Sequence, residues 1–317
     1  MSRPTDLDLP ENVTSRRLET SRGSFAVLDA APVPPAPALG TALLVPGFTG
    51  SKEDFLDLLP PLTEAGFRVV AVDGRGQHES GGPRDEAAYT QAELAADVLA
   101  QTAALTEAYG PGPLHVLGHS LGGHVVRAAA ISGRPDWASL TLMSSGAGQV
   151  APDQQARIQL LVDYLPTMDM ETAWQALRSI DAENTTGSGS ADDTRSESEP
   201  EPWTDNGSAD GTPDRLEEFL HRRWVTTVPE QLIATGKQLM TEPDRVAELA
   251  ALPLPKLVLT GEVDYAWPVP DMDAMATRLH AERVVIKGAE HSPNAERPAP
   301  TAAALVDFWT RSLTGKR

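Results

Sequence analysis

Ser120, His291 and one of Asp264 or Glu262 have the residue types and surroundings to make an alcohol reactive. A serine hydroxyl is a weak nucleophile until a base takes its proton, and that base works best when a carboxylate orients it. Ser120 stands in Gly118-His119-Ser120-Leu121-Gly122, between the apolar run at Leu114 to Leu117 and a helical pattern of Val125, Val126, Ala129 and Ala130. A chain passing from strand to helix through one serine turns too sharply for a Cβ two residues to either side, hence Gly118 and Gly122. The turn thrusts the hydroxyl out at a helix N-terminus, where backbone N–H groups and the dipole favour developing negative charge. A tight strand–helix turn without chemistry is the bland alternative.

The base must reach that hydroxyl. Of seven histidines, His115 lies within the buried strand and His119 and His124 flank the turn, where structural use is the commoner one. His221 and His280 fall on predicted helices. His78, in the loop Asp73 to Gly82, reads as an edge-lining residue with a possible reach to substrate. His291 follows the last predicted strand, in Lys287-Gly288-Ala289-Glu290-His291-Ser292-Pro293. Loops after the carboxyl ends of parallel strands share one edge, where ligands bind, and Ser120 and His291 both leave that edge. Glu262 and Asp264 follow the strand Leu257 to Thr260, which one helix separates from the strand before His291. Such strands can be parallel neighbours about 4.8 Å apart. Asp264 is the preferred acid and Glu262 the runner-up.

The elements that position these groups alternate. Thr41 to Val45, Phe67 to Val72, Leu114 to Leu117, Leu140 to Met143, Lys256 to Thr260 and Arg283 to Ile286 are short apolar runs. Helical stripes separate them, among them Phe55, Leu58, Leu59 and Leu62, then Leu94, Val98, Leu105 and Tyr109, then residues 269–280 and 300–313. Ser51 with Asp54 reads as a capping box. Strands apolar on both faces predict a mostly parallel twisted sheet covered by helices on both sides. Residues 1–15 read as loose, and Arg16 to Thr20 with Ser24 to Asp29 as a hairpin. The alternation stops after Ser145. Residues 147–242 read as helices only (Gln155 to Tyr164, Glu171 to Ile180, Arg215 to Val225, Glu230 to Met240), interrupted by a polar, Gly- and Ser-rich stretch over 181–214. That stretch holds ten acidic residues against Arg195 alone and reads as a disordered acidic insert, with Trp203 its one hint of docking. The domain layout is therefore 1–146 and 243–317 as one core, with 147–242 inserted.

Composition narrows the partners. The 317 residues carry a formal charge of −19 and no cysteine. Disulfides and thiolate metal sites are excluded, and nucleic acid or anionic membrane, which need basic patches, are disfavoured. The first thirty residues hold no apolar core of signal-peptide type, and no stretch approaches spanning length, so the expectation is a cytoplasmic protein with a small-molecule substrate. No cofactor and no metal are expected.

Five stretches in order, Pro46-Gly47-Phe48, Asp73-Gly74-Arg75-Gly76, the Ser120 pentapeptide, Gly261-Glu262-Val263-Asp264 and the His291 loop, resemble the α/β-hydrolase superfamily. The resemblance covers roughly 16–146 and 243–317. It implies the α/β class and α/β-hydrolase fold, with the helical middle in the place of the family's variable lid. It implies Ser120, Asp264 and His291 as catalytic residues and the backbone N–H groups of Phe48 and Leu121 as an oxyanion hole. Pro46 stands where many members have histidine, which leaves the Phe48 donor intact. His119, Trp174, Trp224 and Trp267 are candidate substrate contacts, although apolar stripes in such helices more often serve packing. The activity implied is that of a carboxylesterase on small or medium apolar esters. Serine at the elbow disfavours the dehalogenase and epoxide-hydrolase branches, which use aspartate there. Carbon–carbon bond hydrolysis and cofactor-free perhydrolysis use the same triad and stay open, as does a non-catalytic ligand-sensing or scaffolding role for the same fold.

Overall fold

In the computed structural model, residues 3–34, 37–133, 135–187 and 215–314 are described. Two strands, β1 (Val13–Thr20) and β2 (Gly23–Ala30), open the chain as an antiparallel hairpin, followed by β3 (Thr41–Val45). Ser51 and Asp54 form the expected capping box ahead of a 3₁₀ turn at Lys52–Leu58, which runs into α1 (Leu59–Glu64). Then come β4 (Arg68–Val72), α2 (Gln91–Tyr109), β5 (Leu114–His119), α3 (Leu121–Gly133) and β6 (Ser139–Met143). Four helices follow without a strand: α4 (Pro152–Tyr164), α5 (Met170–Gly187), α6 (Arg215–Thr226) and α7 (Pro229–Thr241). The chain closes with α8 (Val246–Ala250), β7 (Lys256–Gly261), α9 (Val269–Leu279), β8 (Glu282–Ile286), α10 (Pro293–Glu296) and α11 (Pro298–Leu313).

The strands form one eight-stranded sheet in the order β1-β2-β4-β3-β5-β6-β7-β8. From β4 to β8 every pairing is parallel, whereas β1 and β2 join antiparallel at one edge. Strand side chains alternate between two apolar layers, as the two-residue period requires. Leu43, Val70 and Val116 enter the layer that α2, α3, α8 and α9 cover, while Leu44, Val69 and Leu117 enter the one under α1 and α11. Burial on both faces explains why the parallel strands read as unbroken apolar runs.

Three expectations shift. The first strand starts at Val13 rather than Arg16, and residues just before it are tied down, since the Thr5 N–H and hydroxyl both donate to Asp57. α5 runs on to Gly187, past the expected boundary at Asp181; the rest of the acidic stretch, 188–214 with Trp203, lies outside the described residues. His280 ends α9 in a left-handed conformation (φ 52°) instead of lying within the helix.

α4 to α7 share an apolar cluster of their own, with Val162, Leu165, Trp174, Phe219, Leu220, Trp224, Leu232 and Ile233 buried. Phe48 packs against both that cluster and the sheet layer under α2 and α3.

Candidate active site

Ser120 sits between β5 and α3 with φ +53°, in the left-handed region that non-glycine residues rarely adopt. Backbone hydrogen bonds hold it there: its N–H donates to the Met143 carbonyl (2.9 Å), and its carbonyl accepts from Gly123 (2.9 Å). The two glycines are sterically required. A Cβ on Gly118 would lie 2.3 Å from the Gly122 carbonyl oxygen, and one on Gly122 would lie 2.4 Å from that of Val45.

The structure brings the three sequence-nominated groups together. His291 Nε2 lies 3.1 Å from Ser120 Oγ, and His291 Nδ1 lies 2.9 and 3.0 Å from the two Asp264 oxygens. All three residues are buried. Asp264 Oδ1 also accepts from the N–H groups of Ala266 (2.8 Å) and Trp267 (3.0 Å), which fixes the carboxylate against the imidazole. Glu262 does not compete: it is exposed, and its Oε2 accepts from the Gly288 N–H at 3.1 Å. The loops after β7 and β8 touch because Gly261 has no side chain; a Cβ there would be 2.0 Å from the Glu290 carbonyl oxygen. Glu262 N–H donates to the Ala289 carbonyl (2.7 Å) and ties the two exits together.

The Pro46–Gly50 turn lies beside the serine, since a Cβ on Gly47 would lie 3.2 Å from the Ser120 Cβ. Gln77 Nε2 donates to the Gly47 carbonyl (2.7 Å) and holds that turn. Among the described residues neither the Phe48 nor the Leu121 N–H donates to a protein acceptor, which leaves both available to a ligand oxygen.

The remaining candidates acquire structural partners. His119 donates from Nε2 to the His291 carbonyl (2.9 Å) and its ring lies 5.2 Å from that of His291. Burial, and His291 beside it, lower its pKa to about 3, so it is neutral at physiological pH. Trp267 donates to the Gly148 carbonyl (2.9 Å), and its ring lies 6.1 Å from that of His291. Trp224 donates to the Met170 carbonyl (2.9 Å) and tilts against Trp174 at 6.4 Å, and both are packed within the helical cluster. His78 is held by Thr226 Oγ1 (2.9 Å) and joins its loop to the end of α6; burial lowers its pKa to about 4. The sequence reading missed Tyr265, whose ring lies 4.8 Å from that of His291. Only its place beside the candidate acid could have flagged it.

A charged cluster built on the buried Lys52 and Asp73 lies nearby. Lys52 Nζ contacts Glu53 (2.7 Å), Glu79 (2.9 Å) and Asp73 (3.0 Å). Burial, then the neighbouring Glu53, pushes the Asp73 carboxyl up to about 7 against the pull of Lys52. Glu53, His78 and Glu79 have ligand atoms within 4.8 Å of one another, a grouping able to approach a metal ion, but the Lys52 ammonium already serves their carboxylates. No described helix is long and apolar enough to cross a membrane.

Comparison with known proteins agrees with this architecture. The chain belongs to the alpha/beta hydrolase family, whose model matches residues 42–304. Over 111 residues it is 34% identical to epoxide hydrolase B of Mycobacterium tuberculosis, a stretch covering 34% of this chain and 29% of that protein. The chain thus spans less than a third of that relative's length. Among solved structures it is similar to a thermophilic esterase from Thermogutta terrifontis, with TM-score 0.66 and 22% identity over 95% of this chain and 99% of the other. An enol-lactonase from Burkholderia xenovorans LB400 gives TM-score 0.66 and 18% identity, over 93% and 100% of the two chains. At these identities the structural likeness speaks for the fold.

Proposed function

We propose that the protein is a serine hydrolase, a carboxylesterase acting on small or medium apolar esters through Ser120, His291 and Asp264. The observation that carries this reading is the unbroken hydrogen-bonded line from Ser120 Oγ through both nitrogens of His291 to Asp264. Ser120 attacks the ester carbonyl while His291 Nε2 takes its proton; the Nδ1–H faces Asp264, which holds the ring and stabilises the imidazolium. The tetrahedral oxyanion accepts hydrogen bonds from the Phe48 and Leu121 N–H groups, each typically worth a hundred- to a thousand-fold in rate, or about 3–4 kcal/mol. His291 then gives the proton to the leaving alcohol. Water, deprotonated by the same imidazole, releases the acid from the acyl-serine and regenerates the hydroxyl.

The inserted helices act as a lid in this reading. Their apolar interior, with Phe48 packed against it, favours neutral acyl groups over charged ones. The relative named an epoxide hydrolase does not redirect the assignment, because a serine that opened an epoxide would be left as an ether, with no acyl bond for water to cleave, whereas acylation by an ester leaves Ser120 as an ester that water can hydrolyse.

Ser120→Ala and His291→Ala are expected to lower turnover of p-nitrophenyl acetate and butyrate by several orders of magnitude with the thermal midpoint little changed. A fluorophosphonate should label Ser120 in the native chain and nothing in Ser120→Ala. Near-normal ester turnover by either variant defeats the assignment. An unlabelled native protein with no turnover would favour a binding role for the fold.

A further inference from the structure

Asp54 does more than cap the turn that follows β3. Its Oδ1 accepts from Arg223 Nη1 at 2.7 Å, a pair in which both side chains are 1% exposed. Its Oδ2 accepts from the Ser51 N–H at 3.3 Å and packs against Gly50, where a Cβ would lie 2.3 Å from it; the Gly50 N–H donates to the Gly47 carbonyl (3.2 Å) and closes the turn that carries Phe48. Its backbone carbonyl accepts from Asn294 Nδ2 at 2.6 Å, and Asn294 is fully buried three residues beyond His291. One residue therefore touches the turn bearing the Phe48 N–H, the loop bearing His291 and, through Arg223, inserted helix α6.

Other fastenings of α6 run from Arg215 to Asp8, from Glu217, His221 and Trp224 to α5, and from its C-terminal end to the loop after β4. Thr227 Oγ1 donates to the Arg223 carbonyl (2.9 Å) and accepts from the His78 N–H (3.3 Å), and Val228 N–H donates to the Gly76 carbonyl (2.8 Å). These stop the helix end from moving but reach neither Ser120 nor His291. The Arg223–Asp54 pair is the fastening with contacts to both loops. A buried ion pair contributes little net stability over an apolar replacement, so the position of this one calls for another account.

We propose that the Asp54–Arg223 pair is the joint through which the inserted helices set the geometry of the hydrolytic centre. Asp54, Arg223 and Asn294 are positioning residues: Asp54 aligns the Phe48 turn directly and the His291 loop through Asn294, and Arg223 holds Asp54 only while α6 is seated. The inference rests on the ester-hydrolase reading above and adds to it a requirement for the seated helix. Correct alignment is worth much in such a centre, since a misplacement of about 1 Å can cost about a hundred-fold in rate.

The test is steady-state kinetics on p-nitrophenyl butyrate with thermal melts, on full-length Arg223→Met, Arg223→Lys and Asn294→Ala. Arg223→Met and Asn294→Ala are expected to lower kcat about ten- to a hundred-fold with KM held within about threefold, because alignment and not substrate binding is lost. Arg223→Lys keeps the charge on a different geometry and should recover part of the kcat. If Arg223→Met does not fold, Arg223→Lys decides for the ion pair, and Asn294→Ala for the link from Asp54 to the His291 loop. Folded variants that keep kcat within about twofold while only their melting points fall would overturn the proposal. An inert native protein would instead overturn the hydrolase reading and this inference with it, whereas an active native protein with unaffected variants overturns this inference alone.

Discussion

The Asp264 carboxylate is held from three directions, by His291 Nδ1–H and by the backbone N–H groups of Ala266 and Trp267. An amide in its place could keep the shape, but its NH₂ would face a nitrogen that must carry a hydrogen, forcing the imidazole into the wrong tautomer to accept from Ser120. Asp264→Asn should therefore lose about ten-thousand-fold in kcat. Glu262→Gln should cost almost nothing, because its exposed carboxylate meets only the Gly288 N–H. The pair of variants, assayed side by side on one ester, separates the two candidate acids; a damaging Glu262→Gln with a mild Asp264→Asn would reverse them. The choice was legible in the sequence only as far as both acids leaving the same strand. What separates them in the fold is the direction each side chain takes after Gly261, which no spacing rule supplies.

At the level of elements, the turn between β5 and α3 works by exclusion of side chains. A Cβ on Gly122 would lie 2.4 Å from the Val45 carbonyl oxygen and 2.6 Å from that of Pro46, contacts that backbone atoms cannot relieve by rotating away. Gly122→Ala must push the elbow from the end of β3, three residues before Phe48, so it should lower both the melting temperature and kcat although no functional group is removed. Overpacking of this kind costs about 1–3 kcal/mol. Thermal melts and ester kinetics check it; native values for both would mean the elbow is not tight. The glycines, the parallel strands and the order of the loops were readable because buried strands leave unbroken apolar runs and sharp turns demand missing side chains. β1 hid its start because Thr14, Ser15, Arg16 and Arg17 line an edge strand with little buried surface, and α8 is too short for any period to register. The charged run Lys52-Glu53-Asp54 shows in one dimension only the capping role of Asp54. Its burial comes from partners far along the chain: Asp73, Glu79 and, 169 residues away, Arg223.

For the whole molecule the open quantity is how stability responds to acid, and two arguments point in opposite directions. The chain carries −19, with a net −9 of it in residues 181–214, so titration toward the pI of 4.7 relieves self-repulsion and would raise stability. Buried imidazoles argue the reverse. Burial lowers His78 and His115 to about 4 and His119 to about 3, and holds His124 well below the ordinary 6.5. The unfolded chain takes up those four protons near pH 6.5 and the folded chain refuses them, so their stabilising effect is full above that pH and drains away as pH falls toward 4. Burial also raises Asp54 to about 6 and Asp73 to about 7; these bind protons in the folded state first, adding stability at low pH that is lost as pH rises through those values. Between pH 5 and 6 the four imidazoles outnumber the two carboxyls, leaving about two protons in favour of the unfolded chain, each worth about 1.4 kcal/mol per pH unit. Surface repulsion is screened within about 8 Å at physiological salt and cannot match this. The melting temperature should therefore fall by about 5 °C or more from pH 6.5 to 5 at fixed ionic strength. His115 lies stacked on Trp309 with its Nδ1 2.8 Å from Ser139 Oγ, remote from the chemistry, so His115→Gln, which removes one of the two net protons, should flatten that slope by about half without touching kcat. A melting temperature that holds or rises across this range would mean that the imidazoles are solvated or already charged in the folded protein.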